Sequence, residues 1–207
     1  MAIAAGGFQT AVAQSLPGSA DPGRQDIDPG RLLEEPEAPT IPRPTGRDAA
    51  PRAPEGAESV RFELEQVTLN GNTAFEDSEL ADIYNPFIGK TVTLARVYDF
   101  AARITQRYQD ADYFLSRAIV PGQKIRNGVV KLRIIEGHIE RVELTGIRDS
   151  NQIIHDLILR DLREDITKQK PITYSELENA VLLLNKIPGS RFQTVMEEGD
   201  SDGGIIL

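Results

Sequence analysis

The residues that could do chemistry are few, and their spacing is wrong for it. His138 and His155 are the only histidines and stand 17 residues apart, not the spacing of a metal pair, so each reads as a surface or partly buried structural histidine. There is no cysteine, hence no disulfide framework, thiolate zinc site or cysteine nucleophile. That leaves the compartment open. Asp110 and Asp112 are too few to form a calcium loop, and Asp200-Ser201-Asp202-Gly203 opens like one, but no position-12 glutamate follows it. It reads as a β-turn. No nucleophile elbow, phosphate-binding loop or dinucleotide fingerprint occurs. The expectation is a protein that is not an enzyme and that uses no cofactor or metal.

Charge excludes two further classes. A net charge of -9 and a pI near 4.8 argue against nucleic acid, because a polyanion is bound by clustered Lys and Arg that release counterions. A basic membrane-surface patch is equally absent. No run of 18 apolar residues occurs, so no transmembrane helix is expected.

Residues 1–59 contain nine of the 13 prolines and a single aromatic, Phe8, too little apolar surface to offset chain entropy. They read as a disordered tail and Pro-rich linker, with polyproline II character between Pro36 and Pro54. At the start, MAIAAGGFQTAVAQS ends in a small-residue pattern, Ala11-Val12-Ala13. It is either the end of a signal peptide, near 1–13, without its basic start or a terminus without structure.

From Val60 onward the chain carries the residues of a core. Phe62 and Leu64 alternate, then Val67 and Leu69 alternate in the opposite phase, which predicts a strand bent near Glu65–Gln66. Asp77 or Ser78 can cap a short helix through Ile83 that stops before Pro86. Thr93 caps a second, with Leu94, Val97, Tyr98, Ala101, Ile104 and Tyr108 on one face. A strand from Phe114 to Val120 follows, then Pro121-Gly122, an Asn127-Gly128 hairpin signal and the alternating strand of Val130, Leu132 and Ile134. The order is β-α-α-β-β.

The order then begins again. Ile139–Gly146 repeats the first strand, and Val67 to Val142 is the same interval as Gly71 to Gly146. Helix patterns follow over Gln152–Arg163 and from Thr173 to the Pro188-Gly189 break, then a strand over Arg191–Glu198 and the opening of another at Gly204-Ile205-Ile206-Leu207. The fold class expected is α+β, two tandem β-α-α-β-β domains at 60–137 and 138–207, the second truncated, each a small three-stranded mixed sheet with two helices on one face. Such a sheet leaves strand edges whose backbone groups can pair with an extended partner. Pro121 marks the Phe114–Gln123 stretch either as such an edge or simply as a strand end.

FELEQVTLNGNTAF and LARVYDFAARITQRYQDADYFLSRAIVPGQKIRNGVVKLRIIEGHIERVELTG resemble the first POTRA domain of two-partner secretion transporters, the haemolysin secretion/activation family. The telling pieces are G-N-T after the first strand, Y-x-x-x-x-Y/F-L-S-R-A, P-x-Q-x-I-x-x-G and the closing E-G. Residues Asp149 to Leu207, with LLLNKIPG and GGIIL, resemble the second.

The resemblance implies two POTRA domains at the periplasmic side of the Gram-negative outer membrane. They would bind an unfolded secreted exoprotein and pass it to a β-barrel pore that would follow Leu207, making the chain a monomeric fragment. It also implies a plug helix before the first domain, where Pro17, Pro22 and Pro29 interrupt the stretch. Client contacts are expected at Tyr113, Leu115, Arg117, Ile119, Gln123 and Arg133, each of which also reads as an ordinary sheet residue. The alternative is a POTRA scaffold for outer-membrane protein assembly or for cell-division proteins.

Overall fold

The computed structural model describes residues 51–143, 160, 162–186 and 192–207. The expected tail and linker through residue 50, Gly146, most of the helix expected at Gln152–Arg163, the Pro188-Gly189 break and Arg191 lie outside those residues.

The predicted bend divides the first strand between two sheets. β1 (Arg61–Leu64) pairs antiparallel with β3 (Lys90–Thr93), whereas β2 (Gln66–Asn70) pairs parallel with β5 (Val129–Ile135). Between them, the Gly128 carbonyl accepts from both Glu65 N at 2.9 Å and Gln66 N at 3.3 Å, a bulge that reverses the side-chain phase. Leu64, Val67 and Leu69 thereby reach one core. β3 was not foreseen, because four residues of KTVT wedged against a helix cap carry almost no periodic signal.

The sheet β2-β5-β4 is completed by β4 (Arg117–Ile119), antiparallel to β5. Short α1 (Asp77–Leu80) is capped one residue earlier than expected, at Glu76, which forms a reciprocal capping box with Glu79. Two 3-10 turns follow, and Pro86 sits in the first turn of the second, where its missing N–H costs no bond.

α2 (Leu94–Asp110) carries the core stripe: Val97, Phe100, Ala101, Ile104 and Tyr108 are buried against Leu132 and Ile134. Each such large apolar side chain contributes roughly 1.5–3 kcal/mol on burial. Its first N–H groups are all satisfied. Arg96 N donates to Thr93 Oγ1 at 3.2 Å, Leu94 N to the Val60 carbonyl at 2.9 Å and Ala95 N to the Ala57 carbonyl at 3.2 Å. The last residues of the expected linker are thus folded onto the helix, with Ala57 buried, because a helix start leaves donors that need acceptors.

A second three-stranded sheet repeats the pattern of β2-β5-β4. β6 (His138–Arg141) is parallel to β8 (Gly204–Ile206), and β7 (Glu197–Glu198) is antiparallel to β8, in the order β6-β8-β7. α3 (Tyr174–Asn185) starts at Thr173 with a capping box to Glu176. Ile139, Ile166, Ile172, Leu177 and Val181 form the core beside it. Helical conformation runs over 162–168, beyond the expected end at Arg163. Of the strand expected from Arg191 to Glu198, only the last two of its described residues pair.

Candidate functional site

The site begins at the edge of the first sheet. β4 is shorter than Phe114–Val120 because residues 112–116 close turns instead: Phe114 N donates to the Asp112 carbonyl and Ser116 N to the Tyr113 carbonyl. The Phe114 ring turns to Tyr174, edge-on at 5.4 Å. Within β4, Ala118 N points away from β5 and donates to the buried Thr105 Oγ1 at 2.9 Å, while Thr105 Oγ1 donates to the Ala101 carbonyl. Two outward donors of this edge, at Ser116 and Ala118, therefore already have acceptors within the fold. By strand alternation the next outward pair of backbone groups belongs to Val120.

The strand ends at Val120 for a reason legible in its bonds. Continuing the register in which Ile119 faces Arg133 would place Pro121 opposite Lys131, where proline has no N–H to give. Gln123 fills the gap with its side chain: Nε2 donates to the Lys131 carbonyl at 2.7 Å and Oε1 accepts from Lys131 N at 2.8 Å. Asn127 and Gly128 do form the positive-φ turn, with φ of 48° and 68°. They close it on Arg126 rather than on β4, so residues 120–125 stand out as a wall. Gln123→Ala should lower stability by about 1 kcal/mol and expose the Lys131 amide to exchange. Gln123→Glu, which can accept but not donate, should keep that amide protected. Equal protection in both variants would refute the side-chain rung.

Against this wall lies an open groove of about 480 Å³. Val60, Phe62, Leu94, Tyr98, Val120, Pro121 and Ile125 line it, with Arg61 and Gln123 as polar neighbours. Its surface is more apolar than polar, and Val60 is 49% exposed. An extended chain laid here could bond the Val120 backbone and bury side chains on Phe62 and Tyr98.

At the far end of the sheet, Glu136 holds the G-N-T loop. Its carboxylate accepts from Thr73 N at 2.6 Å, Ala74 N at 2.9 Å, the Thr73 hydroxyl and the Tyr108 hydroxyl at 2.8 Å. Burial pushes the Glu136 carboxyl up, but the hydrogen bonds from Ala74, Thr73 and Tyr108 outweigh it and hold the group below its ordinary 4.5. Burial, then the bond to Glu136, pushes the Tyr108 hydroxyl far above its usual range. This is a staple that ties the loop and the end of α2 to the close of β5.

His138, Glu140 and Ser201 also meet, without the geometry of a triad. Ser201 Oγ donates to Glu140 Oε2 at 2.6 Å and lies 3.3 Å from His138 Nε2, so its proton is committed to the carboxylate. That bond and one from Ser201 N lower the Glu140 carboxyl. Among the described residues no group of His, Cys, Asp and Glu could hold a metal ion.

The six residues expected at the site do not converge. Arg117, Ile119 and Arg133 share the sheet face away from the helices, where Arg133 pairs with Asp202 at 2.5 Å. Gln123 lies at the groove, with both polar atoms occupied by Lys131. Tyr113 packs against both Phe75 and Tyr108, and Leu115 packs on the second core. Sequence reasoning missed Phe62, Leu94 and Tyr98, because each also fits a core pattern; Pro121-x-Gln123 was the signal that marked the wall.

Comparisons with known proteins agree with this architecture. Residues 62–137 match the family described as POTRA domain, ShlB-type. The heme/hemopexin transporter protein HuxB of Haemophilus influenzae is 25% identical over 166 residues, covering 77% of this chain and 29% of that protein. The outer membrane transporter CdiB of Escherichia coli is 20% identical over 76% of this chain and 26% of its own length. The chain thus spans less than a third of these relatives. The solved structure of CdiB from Escherichia coli superposes with a TM-score of 0.61 at 18% identity, over 75% of this chain and 28% of that one. The N-terminal domain of Omp85 from Thermosynechococcus elongatus gives 0.54 at 22% identity, over 69% and 63%. Both share its fold.

Proposed function

We propose that the chain receives an unfolded exoprotein on the periplasmic side of the outer membrane, since residues 62–137 match the ShlB-type POTRA family and the chain is similar to the transporters HuxB and CdiB. It hands that client to a β-barrel pore. The relatives are transporters by name, and no helix among the described residues is long and apolar enough to cross a membrane.

The observation that carries the reading is the groove beside Val120. The rest of the β4 edge has its outward donors bonded internally, at Ser116 to Tyr113 and at Ala118 to Thr105. A client strand therefore docks at one backbone rung, with its side chains on the apolar wall, and does not lie along the whole edge. Recognition of this kind selects for extended apolar segments and only weakly for sequence.

The test is a titration of the whole chain with the unfolded N-terminal segment of its exported partner, followed by amide shifts. The largest shifts are expected between Ile119 and Gln123 and at Phe62 and Tyr98. Val120→Pro, which removes one outward N–H and leaves the Ile119–Arg133 rung, should weaken binding at least tenfold, about 1.4 kcal/mol. Shifts confined to the face of Arg117 and Arg133, or binding unchanged by Val120→Pro, would sink the groove mechanism.

A further inference from the structure

We infer that Asp112 is a latch: it ends α2 in a conformation suited to glycine because its carboxylate and carbonyl hold the start of α3, fixing α3 against the end of α2.

The observation begins with a broken local rule. α2 closes in a Schellman motif, with Asp112 N donating to the Gln109 carbonyl at 3.0 Å and Tyr113 N to the Tyr108 carbonyl at 2.9 Å. The residue between those bonds takes φ of 71°. Glycine adopts that conformation without steric conflict, whereas a side chain there is strained. A residue that breaks a local preference points to a gain elsewhere.

That gain lies across the joint. Tyr174 N donates to the Asp112 carbonyl at 2.9 Å, and the Asp112 carboxylate accepts from Ser175 N at 2.9 Å and Ser175 Oγ at 2.5 Å. Glu176 N is taken by Thr173 Oγ1. The first three donors of α3 are therefore satisfied, two of them by one residue at the end of α2. Phe114 on Tyr174, the bond from Ile172 N to the Gly137 carbonyl at 3.0 Å, and Arg133 with Asp202 flank the latch.

The consequence is geometric. α2 carries Leu94 and Tyr98 of the groove at one end and the latch at the other, so the 17-residue helix is a strut of roughly 25 Å. Whatever occupies the groove, the second sheet stays at a set distance from it.

The absence of cysteine permits clean labelling. Spin labels placed through Arg103→Cys and Glu178→Cys, on exposed faces of α2 and α3, should give one narrow distance distribution. Asp112→Gly keeps the φ and deletes the carboxylate. It should at least double the width and speed exchange of the Ser175 amide at least tenfold, while the Val130 and Leu132 amides exchange no faster. Ser175→Ala should give intermediate broadening. A parent distribution already broad, a width unchanged in Asp112→Gly, or loss of Leu132 protection in that variant would each overturn the latch, the last by making Asp112 a support of the first sheet instead.

Discussion

Glu136→Ala should cost the first sheet about 3 kcal/mol at neutral pH, since charge-assisted bonds contribute roughly 1.5–3 kcal/mol each before solvent screening. The screening matters because Glu136 is only half-buried. What makes the loss large is the residue left behind: Tyr108 is fully buried, and its hydroxyl has Glu136 as its acceptor. Thr73 N and Ala74 N lose an acceptor in the same step. Acid should mimic the substitution. The carboxyl is held below 4.5 in the folded chain, so its contribution is complete above the unfolded value and is lost as pH falls through the folded one. Denaturant unfolding should therefore show a gap between the parent and Glu136→Gln that is wide at pH 7 and narrows in acid. A gap that does not change with pH would remove the carboxylate from the account.

The same staple shows what was legible beforehand. The G-N-T after the first strand, the tyrosine at 108 and the closing E-G are far apart in sequence, and periodicity alone assigns none of them a partner. Their meeting in one hydrogen-bond cluster depends on the parallel pairing of β2 with β5, which puts Asn70 beside Arg133. Strands and helices with long alternation or a clear cap were readable: the bend at Glu65, Thr93 with its stripe and the second pass through the same order. What escaped were features decided by single bonds between distant parts. β4 contracts because turns at 112–116 compete for its donors, the Gln123 side chain completes a rung of the sheet, and Asp112 caps a helix 63 residues away. The groove escaped for a related reason, since half-buried aromatics such as Phe62 and Tyr98 have the same spacing as core.

Gly137→Ala should be as damaging as the loss of its neighbour, though for a steric reason. A Cβ at this position would lie 2.8 Å from the Leu115 carbonyl carbon and 2.9 Å from its oxygen, and closer still to Leu115 Cβ. Backbone cannot turn aside as a side chain can, so β5 and β6 would have to part from the 115–116 turn. Gly137 N donates to the buried Ser116 Oγ at 3.0 Å, and the Gly137 carbonyl accepts from Ile172 N. Separation breaks both bonds and uncovers Leu115, which packs on the second core. A cost near the top of the usual overpacking range, about 3 kcal/mol, is expected. It should appear on both sides of the junction, as faster exchange of the Leu132 amide in β5 and the Ile172 amide ahead of α3, whereas Glu136→Ala should affect Leu132 far more than Ile172. Adding Leu115→Gly should recover little, because the closest atoms left are backbone. Full recovery in that double variant would mean that side-chain crowding, and not the approach of two backbones, requires glycine at the junction.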